Sequence, residues 1–208
     1  MNISGCRYEG AECSHTYAYL LPTVFEVLAR IAKGESGLRV FDLGCGNGST
    51  ANALAQAGYQ VFGVDPSETG IAQARRNFPH LGLEVGSTEI DLAAKYGRFP
   101  VALSLEVVEH VFAPREYARR VFDLVESGGY AVISTPYHGY VKNLALTLSG
   151  KMDSHFTPFW DCGHIKFWSV KTLGQLLREA GFTDIKFHRV GRFAPIAKSM
   201  IAVARKPL

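Results

Sequence analysis

The sequence predicts an α/β fold: seven strands in a mainly parallel sheet, helices on both faces, and a last strand running against the rest. Three observations carry this. Apolar strand-like runs alternate with helix-like stretches for most of the chain, which implies right-handed crossovers between parallel neighbours. The first strand ends in a tight turn with glycines at 44, 46 and 48 that opens into helical sequence. The two final strand candidates, 183–189 and 199–204, are joined by too short a link for a crossover and so pair antiparallel.

Taken in order, residues 1–14 are polar and aperiodic, an expected mobile arm. Tyr17, Leu20, Leu21, Val24, Leu28 and Ile31 recur at helical steps, with Pro22 early in the helix and Lys33-Gly34 stopping it. This helix either covers a ligand or pads the sheet. Strands are expected at 38–41, 60–64, 81–85, 99–105 and 130–134. Helices are expected at 51–57, 67–78 (Ser67 as N-cap), 88–95, 114–126 (Pro114 at its first position) and 170–180. Residues 1–208 read as one domain, with 1–36 as arm and helix and 137–168 as an inserted lid or substrate segment. That insert is rich in aromatics and histidines, among them Tyr137, His138, His155, Trp160, His164 and Trp168, a composition suited to a planar or hydroxylated small molecule. Its partly apolar stretch Tyr140–Leu148 is able to touch a membrane surface or a lipid-like substrate.

Composition excludes several classes. Apolar content of 47% and charged content of 20% are those of an ordinary globular protein, and a net charge of +3 is too small to argue for nucleic acid. No signal peptide or membrane-length apolar run is visible, and the cysteines 6, 13, 45 and 162 form no C-x-x-C pair. Free thiols in a cytoplasmic protein are the expectation.

The glycine turn reads as a nucleotide-type cofactor site. Glycines let the backbone turn sharply and approach a ligand, and the following helix start offers amide groups and a positive dipole end. Asp65 lies about twenty positions after Gly44, at the end of the next strand, where an acid can take a ribose diol. The glycine spacing is not that of the dinucleotide fingerprint, since Ser49 stands near the place of its third glycine.

After strand 99–105 comes Leu105-Glu106-Val107-Val108-Glu109-His110. Were this segment helical, Glu106, Glu109 and His110 would share a face. Such a group binds a divalent metal, acts as acid and base, or is a hydrogen-bonded surface cluster.

Asp42-Leu-Gly-Cys-Gly-Asn-Gly resembles the first motif of class I S-adenosylmethionine (SAM) dependent methyltransferases, with a Rossmann-like sheet. The resemblance implies SAM contacts at Asp42, Gly44, Cys45, Gly46, Asp65, Pro66, Ser87 and Leu105. Ser87 also reads as a helix N-cap. Glu-x-x-Glu-His, with Ser134-Thr135-Pro136 and Gly163-His164-Ile165-Lys166-Phe167-Trp168, is similar to ubiquinone-biosynthesis O-methyltransferases and to small-RNA 2′-O-methyltransferases. It implies a divalent metal (magnesium, manganese or zinc) held by Glu106, Glu109, His110 and His164. Pro100 departs from the family, which carries Asp there, and the lack of a strongly basic surface argues against the RNA branch. The implied activity is O-methylation of a phenol- or catechol-like small molecule, with the metal lowering the hydroxyl pKa. Without metal, His110, His138, His155 or His164 serves as base. Metal-independent N-methylation of an amine, and a SAM-binding module without catalysis, are the alternatives.

Overall fold

A computed structural model describes residues 16–156, 158–160 and 163–208; the arm at 1–14 and three of the four cysteines lie outside them. The elements run α1 (Tyr17–Ala32), β1 (Arg39–Leu43), α2 (Ser49–Gln56), β2 (Gln60–Asp65), α3 (Glu68–Asn77), β3 (Gly82–Val85), α4 (Leu92–Tyr96) and β4 (Phe99–Leu105). There follow α5 (Pro114–Leu124), β5 (Val125–Pro136), α6 (Tyr140–Leu148), α7 (Met152–Phe156), α8 (Val170–Glu179), β6 (Thr183–Val190) and β7 (Ser199–Arg205).

The strand order is β3-β2-β1-β4-β5-β7-β6. β1 to β5 pair in parallel, and β7 inserts antiparallel between β5 and β6. Helices α1, α2 and α3 cover one face with Leu20, Val24, Leu28, Leu54 and Ile71. Helices α4, α5 and α8 cover the other with Leu92, Tyr117, Val121, Leu173 and Leu177. Apolar area buried on both faces drives this layering, at about 25 cal/mol per Å². Progression along the sheet reverses between β1 and β4, and the crevice beyond their carboxyl ends is where such folds place a ligand.

Local chemistry explains where the boundaries moved. α4 begins at Leu92 rather than 88, because Asp91 caps it by accepting the Ala94 amide at 3.0 Å. α5 ends at Leu124 and β5 begins at once, longer than 130–134. The β4–β5 register slips between Phe99 and Val101, beside Pro100, which has no amide to offer the ladder. Ser67 caps α3 as expected, accepting the Gly70 amide at 3.1 Å. The insert carries α6 and α7, neither with a fully buried residue. No helix among the described residues is long and apolar enough to cross a membrane.

Candidate active site

The glycine turn sits at the end of β1, against β2 and the turn after β4. Gly44, Gly46 and Gly48 all have positive φ, at 85°, 53° and 78°. A Cβ on Gly44 would overlap Val107, and one on Gly48 would lie 2.8 Å from Leu83 Cδ1. The turn is tied internally. The Gly44 and Cys45 amides donate to the Val64 carbonyl at 2.8 and 3.1 Å, Gly48 to the Cys45 carbonyl at 2.9 Å, and Ser49 to Asn47 Oδ1 at 3.2 Å. The amides of the turn itself are thus turned inward onto β2, while α2 has no side-chain cap at its start.

The acids make the difference. Asp65 accepts the Gly46 amide on Oδ2 at 2.9 Å and the Ser67 amide, just past Pro66, on Oδ1 at 2.8 Å. A carboxylate has about four acceptor positions, so two remain. Burial pushes Asp65 above the usual carboxylate range, opposed by those two amides. Asp42 is 2% exposed and its Oδ2 has no hydrogen-bond partner. Burial, then the nearby Asp65, pushes Asp42 up to about 7. A buried carboxyl with one unpartnered oxygen beside a glycine cradle fits a ligand that brings positive charge. Burial pushes the Cys45 thiol up, so it is no thiolate nucleophile. Ser87 accepts the Glu89 amide at 3.2 Å within a turn and is not a helix cap.

Residues 106–110 form a turn, not a helix. Glu106 has φ +54°, left-handed backbone that is rare for a glutamate. This turns its side chain toward β5 and β7. Its Oε1 accepts from Ser134 Oγ at 2.8 Å, its Oε2 from Ser199 Oγ at 3.3 Å, and its amide donates to Ser134 Oγ at 2.9 Å. With the Ser199 hydrogen given to Glu106, Tyr19 of α1 donates in turn to Ser199 Oγ at 3.4 Å. α1 thus reaches the site.

Glu109, His110 and His164 do converge, offering ligand atoms within 4.8 Å of one another; Glu106 is not in that group. Glu109 is 1% exposed and neither carboxylate oxygen makes a well-formed hydrogen bond. Burial and the Glu106 charge raise its pKa strongly, against a pull from the adjacent Thr135 hydroxyl. The His110 and His164 ring centroids are 4.9 Å apart. His110 Nδ1 lies 3.3 Å from the Gly163 carbonyl. A carbonyl only accepts, so Nδ1 carries a proton. Burial, then His110, pushes His164 down to about 4, leaving it neutral at pH 7.

Backbone tethers bring His164 there across a long stretch of chain. The Glu109 carbonyl accepts the Ile165 and Lys166 amides, both at 2.9 Å. Trp168 Nε1 donates to the Val108 carbonyl at 3.2 Å, and the His138 amide to the Trp168 carbonyl at 2.9 Å. His138 is buried and stands apart from the three-residue group, stacked on Phe156 at 5.8 Å and edge-on to Phe167 at 5.0 Å. Burial, then Lys142, pushes it down to about 4. His155 of α7 faces it at 5.7 Å. Sequence reasoning missed Tyr19 and Ser199, which belong to no local motif, and the packing of Val107 on Gly44.

The sequence profile of the methyltransferase domain family matches residues 15–186. The chain belongs to this methyltransferase family. Among its relatives are ubiquinone biosynthesis O-methyltransferases. That of Ruegeria pomeroyi is 33% identical over 153 residues, covering 72% of this chain and 62% of the relative. That of a Caulobacter species is 39% identical over 118 residues, covering 55% and 46%. The chain thus spans about half to three-fifths of the length of these curated relatives. Magnesium protoporphyrin IX methyltransferase from Synechocystis, solved with bound SAH, superimposes with a TM-score of 0.66 at 21% identity, over 89% of this methyltransferase-family chain and 82% of its own. The 4+2 cyclase SpnF superimposes with a TM-score of 0.68 at 17% identity, over 99% and 87%. At such identities the likeness shows the fold alone, and a fold does not name a reaction.

Proposed function

We propose that this chain transfers a methyl group from SAM to a hydroxyl of a small molecule, in the manner its O-methyltransferase relatives are named for. The observation that carries this is the convergence of Glu109, His110 and His164 beside the glycine turn, at the carboxyl end of β4. When bound, SAM supplies an electrophilic methyl group on a sulfonium. Asp42 offers a buried anion to the ammonium of its amino-acid end, and Asp65 offers its two remaining acceptor positions to the ribose diol. In this reading Gly44, Cys45, Gly46, Pro66, Ser87 and Leu105 would supply the remaining contacts to SAM. Val107 packs against Gly44 and so sets the turn that carries Glu109 beside the glycine turn; in this reading the chain's contribution would be to orient the acceptor toward the methyl group.

His110 Nε2 and neutral His164 are each able to take the acceptor proton, and the buried Glu109 stabilises the imidazolium that results. His138 is buried to one side and serves as a wall of the acceptor pocket in this reading. The three residues also fit a divalent metal: a buried carboxyl without well-formed hydrogen bonds and two imidazoles are a donor set suited to manganese or zinc more than to magnesium. Such an ion would act as Lewis acid on the acceptor oxygen. Glu106, held by Ser134 and Ser199, drops out of the four-residue set the motif implied and becomes a support for the turn. The insert 137–168 provides the acceptor side.

The test is SAH release from purified protein with catechols, phenols and amines, with and without EDTA and with manganese or zinc restored. Methylation of a catechol that falls on chelation supports the reading. Amine methylation undiminished by chelation replaces it with an N-methyltransferase.

A further inference from the structure

Glu106 stands out in the backbone. Among the described residues, three besides glycine have positive φ. Lys33 closes α1, and Asp184 sits where the β6–β7 register shifts, both ordinary places for such a conformation. Glu106, at +54°, opens the turn that carries Glu109 and His110. A glutamate persists in left-handed backbone only where its surroundings fix it there.

Hydrogen bonds from β5 and β7 supply that fixing. The Glu106 amide is shared between the Ser134 carbonyl at 3.1 Å and Ser134 Oγ at 2.9 Å. Its carboxyl accepts from Ser134 of β5 and from Ser199 of β7, both buried. Ser199 has one hydrogen; given to Glu106, it leaves a lone pair for the hydroxyl of Tyr19, 3.4 Å away. The Tyr19 ring has a partner of its own, Lys198 Nζ at 5.2 Å from its centre. The Lys198 carbonyl in turn accepts the Tyr137 amide at 3.0 Å and Lys142 Nζ at 3.4 Å, both from the insert. Residues 198 and 199 are therefore the junction of α1, the insert and the turn after β4. The Tyr19 hydroxyl is not what anchors α1, because Leu20, Leu21, Val24 and Leu28 bury its apolar side. A phenylalanine would serve the helix equally well.

We propose that Tyr19 is a positioning residue: through Ser199 it holds Glu106, and with it the turn that presents Glu109 and His110, in the arrangement methyl transfer uses. This rests on the proposed reaction for its consequence, while the hold on the turn is testable by itself. Tyr19 acts through two other residues and touches neither donor nor acceptor. The donor acid Asp65 lies outside the chain of bonds, since its partners are the Gly46 and Ser67 amides.

The experiment compares wild type, Tyr19→Phe, Ser199→Ala and the Tyr19→Phe/Ser199→Ala double variant. Each is measured by amide hydrogen exchange of the full chain and by the kinetics of SAH release with a catechol. Tyr19→Phe keeps the ring beside Lys198 and removes only the hydroxyl. In it the amides of Glu106 and His110, and those of Ile165 and Lys166 tied to the Glu109 carbonyl, exchange about fivefold faster, the factor one ordinary hydrogen bond supplies. Turnover, kcat, falls by a similar factor, while KM for SAM and exchange at Gly44 and Gly46 stay within about twofold of wild type. The double variant is no worse than Ser199→Ala, because both changes break one path. Turn amides that exchange as in wild type, exchange raised equally throughout the chain, or turnover unchanged although the turn has loosened overturns the proposal. So does a double variant whose loss is the product of the two single losses. Turn amides that loosen in Tyr19→Phe, in a protein that methylates no hydroxyl even as wild type, leave the hold of Tyr19 on the turn standing and remove the proposed function instead.

Discussion

The carbonyl of Glu109 accepts the amides of Ile165 and Lys166, both at 2.9 Å, and this joins the turn after β4 to the far end of the insert. It sets His164 beside His110 and lets two motifs distant in sequence form one site. Trp168, donating to Val108 at 3.2 Å, is the second stitch.

Trp168→Phe keeps the ring and loses the indole N–H, leaving the Val108 carbonyl unpaired. Unmet buried acceptors cost about 1–3 kcal/mol. Thermal melting falls accordingly, and methyl transfer falls further than stability does, because His164 loses its alignment. Melting curves and SAH release on the same preparation check this.

Glu106 and Glu109 separate by role. Glu109→Gln replaces an ionisable buried carboxyl, whose oxygens lack well-formed hydrogen bonds, by an amide that cannot ionise. The fold therefore holds or gains stability, while methyl transfer drops by about 100-fold or more. Glu106→Gln disturbs the acceptor of both Ser134 and Ser199 and costs about 1–3 kcal/mol of stability with the smaller loss of turnover. Metal content, measured on the two variants after loading with manganese or zinc, falls for Glu109→Gln and not for Glu106→Gln. The reverse order would restore Glu106 as a ligand.

Donor binding depends on pH through Asp42. Its pKa is raised on folding from 3.8 to about 7, so the folded state takes up a proton there. That contribution to stability is complete below 3.8 and is lost as pH rises through about 7. A cationic ligand pairs with the ionised form and displaces the proton. Affinity for SAH therefore rises with pH, by up to about tenfold per unit below 7, and levels off above it. Calorimetry between about pH 5.5 and 8.5 reads this slope, and Asp42→Asn flattens it.

Gly44→Ala and Gly34→Ala share a positive φ, at 85° and 88°, yet differ in surroundings. The added methyl at 44 overlaps Val107, whereas at 34 nothing lies within 4 Å. Gly34→Ala shows the conformational cost alone, about 1 kcal/mol. Gly44→Ala costs more and loses SAH affinity, since relief requires the 106–110 turn to move. Parallel melts and SAH titrations of the two variants separate strain from crowding.

Much of this protein was legible in its residues alone. The alternation of strands and helices, the reversed last pair, the Ser67 cap and the glycine turn all depend on patterns a few residues wide. So does the placement of Asp65 at the end of β2, because strand length and a two-sided burial pattern are local properties. The side chains that meet at the site were decided by tertiary structure. Glu106 shares a spacing with Glu109 that suggests one face, but its left-handed backbone turns it to Ser134 and Ser199, and those serines come from β5 and β7. Tyr19 enters from α1, and Lys142 finds itself beside the Lys198 carbonyl, only because β7 is threaded between β5 and β6. Backbone periodicity belongs to neighbours in sequence; the direction of a carboxylate at a turn belongs to whichever distant segments pack against it.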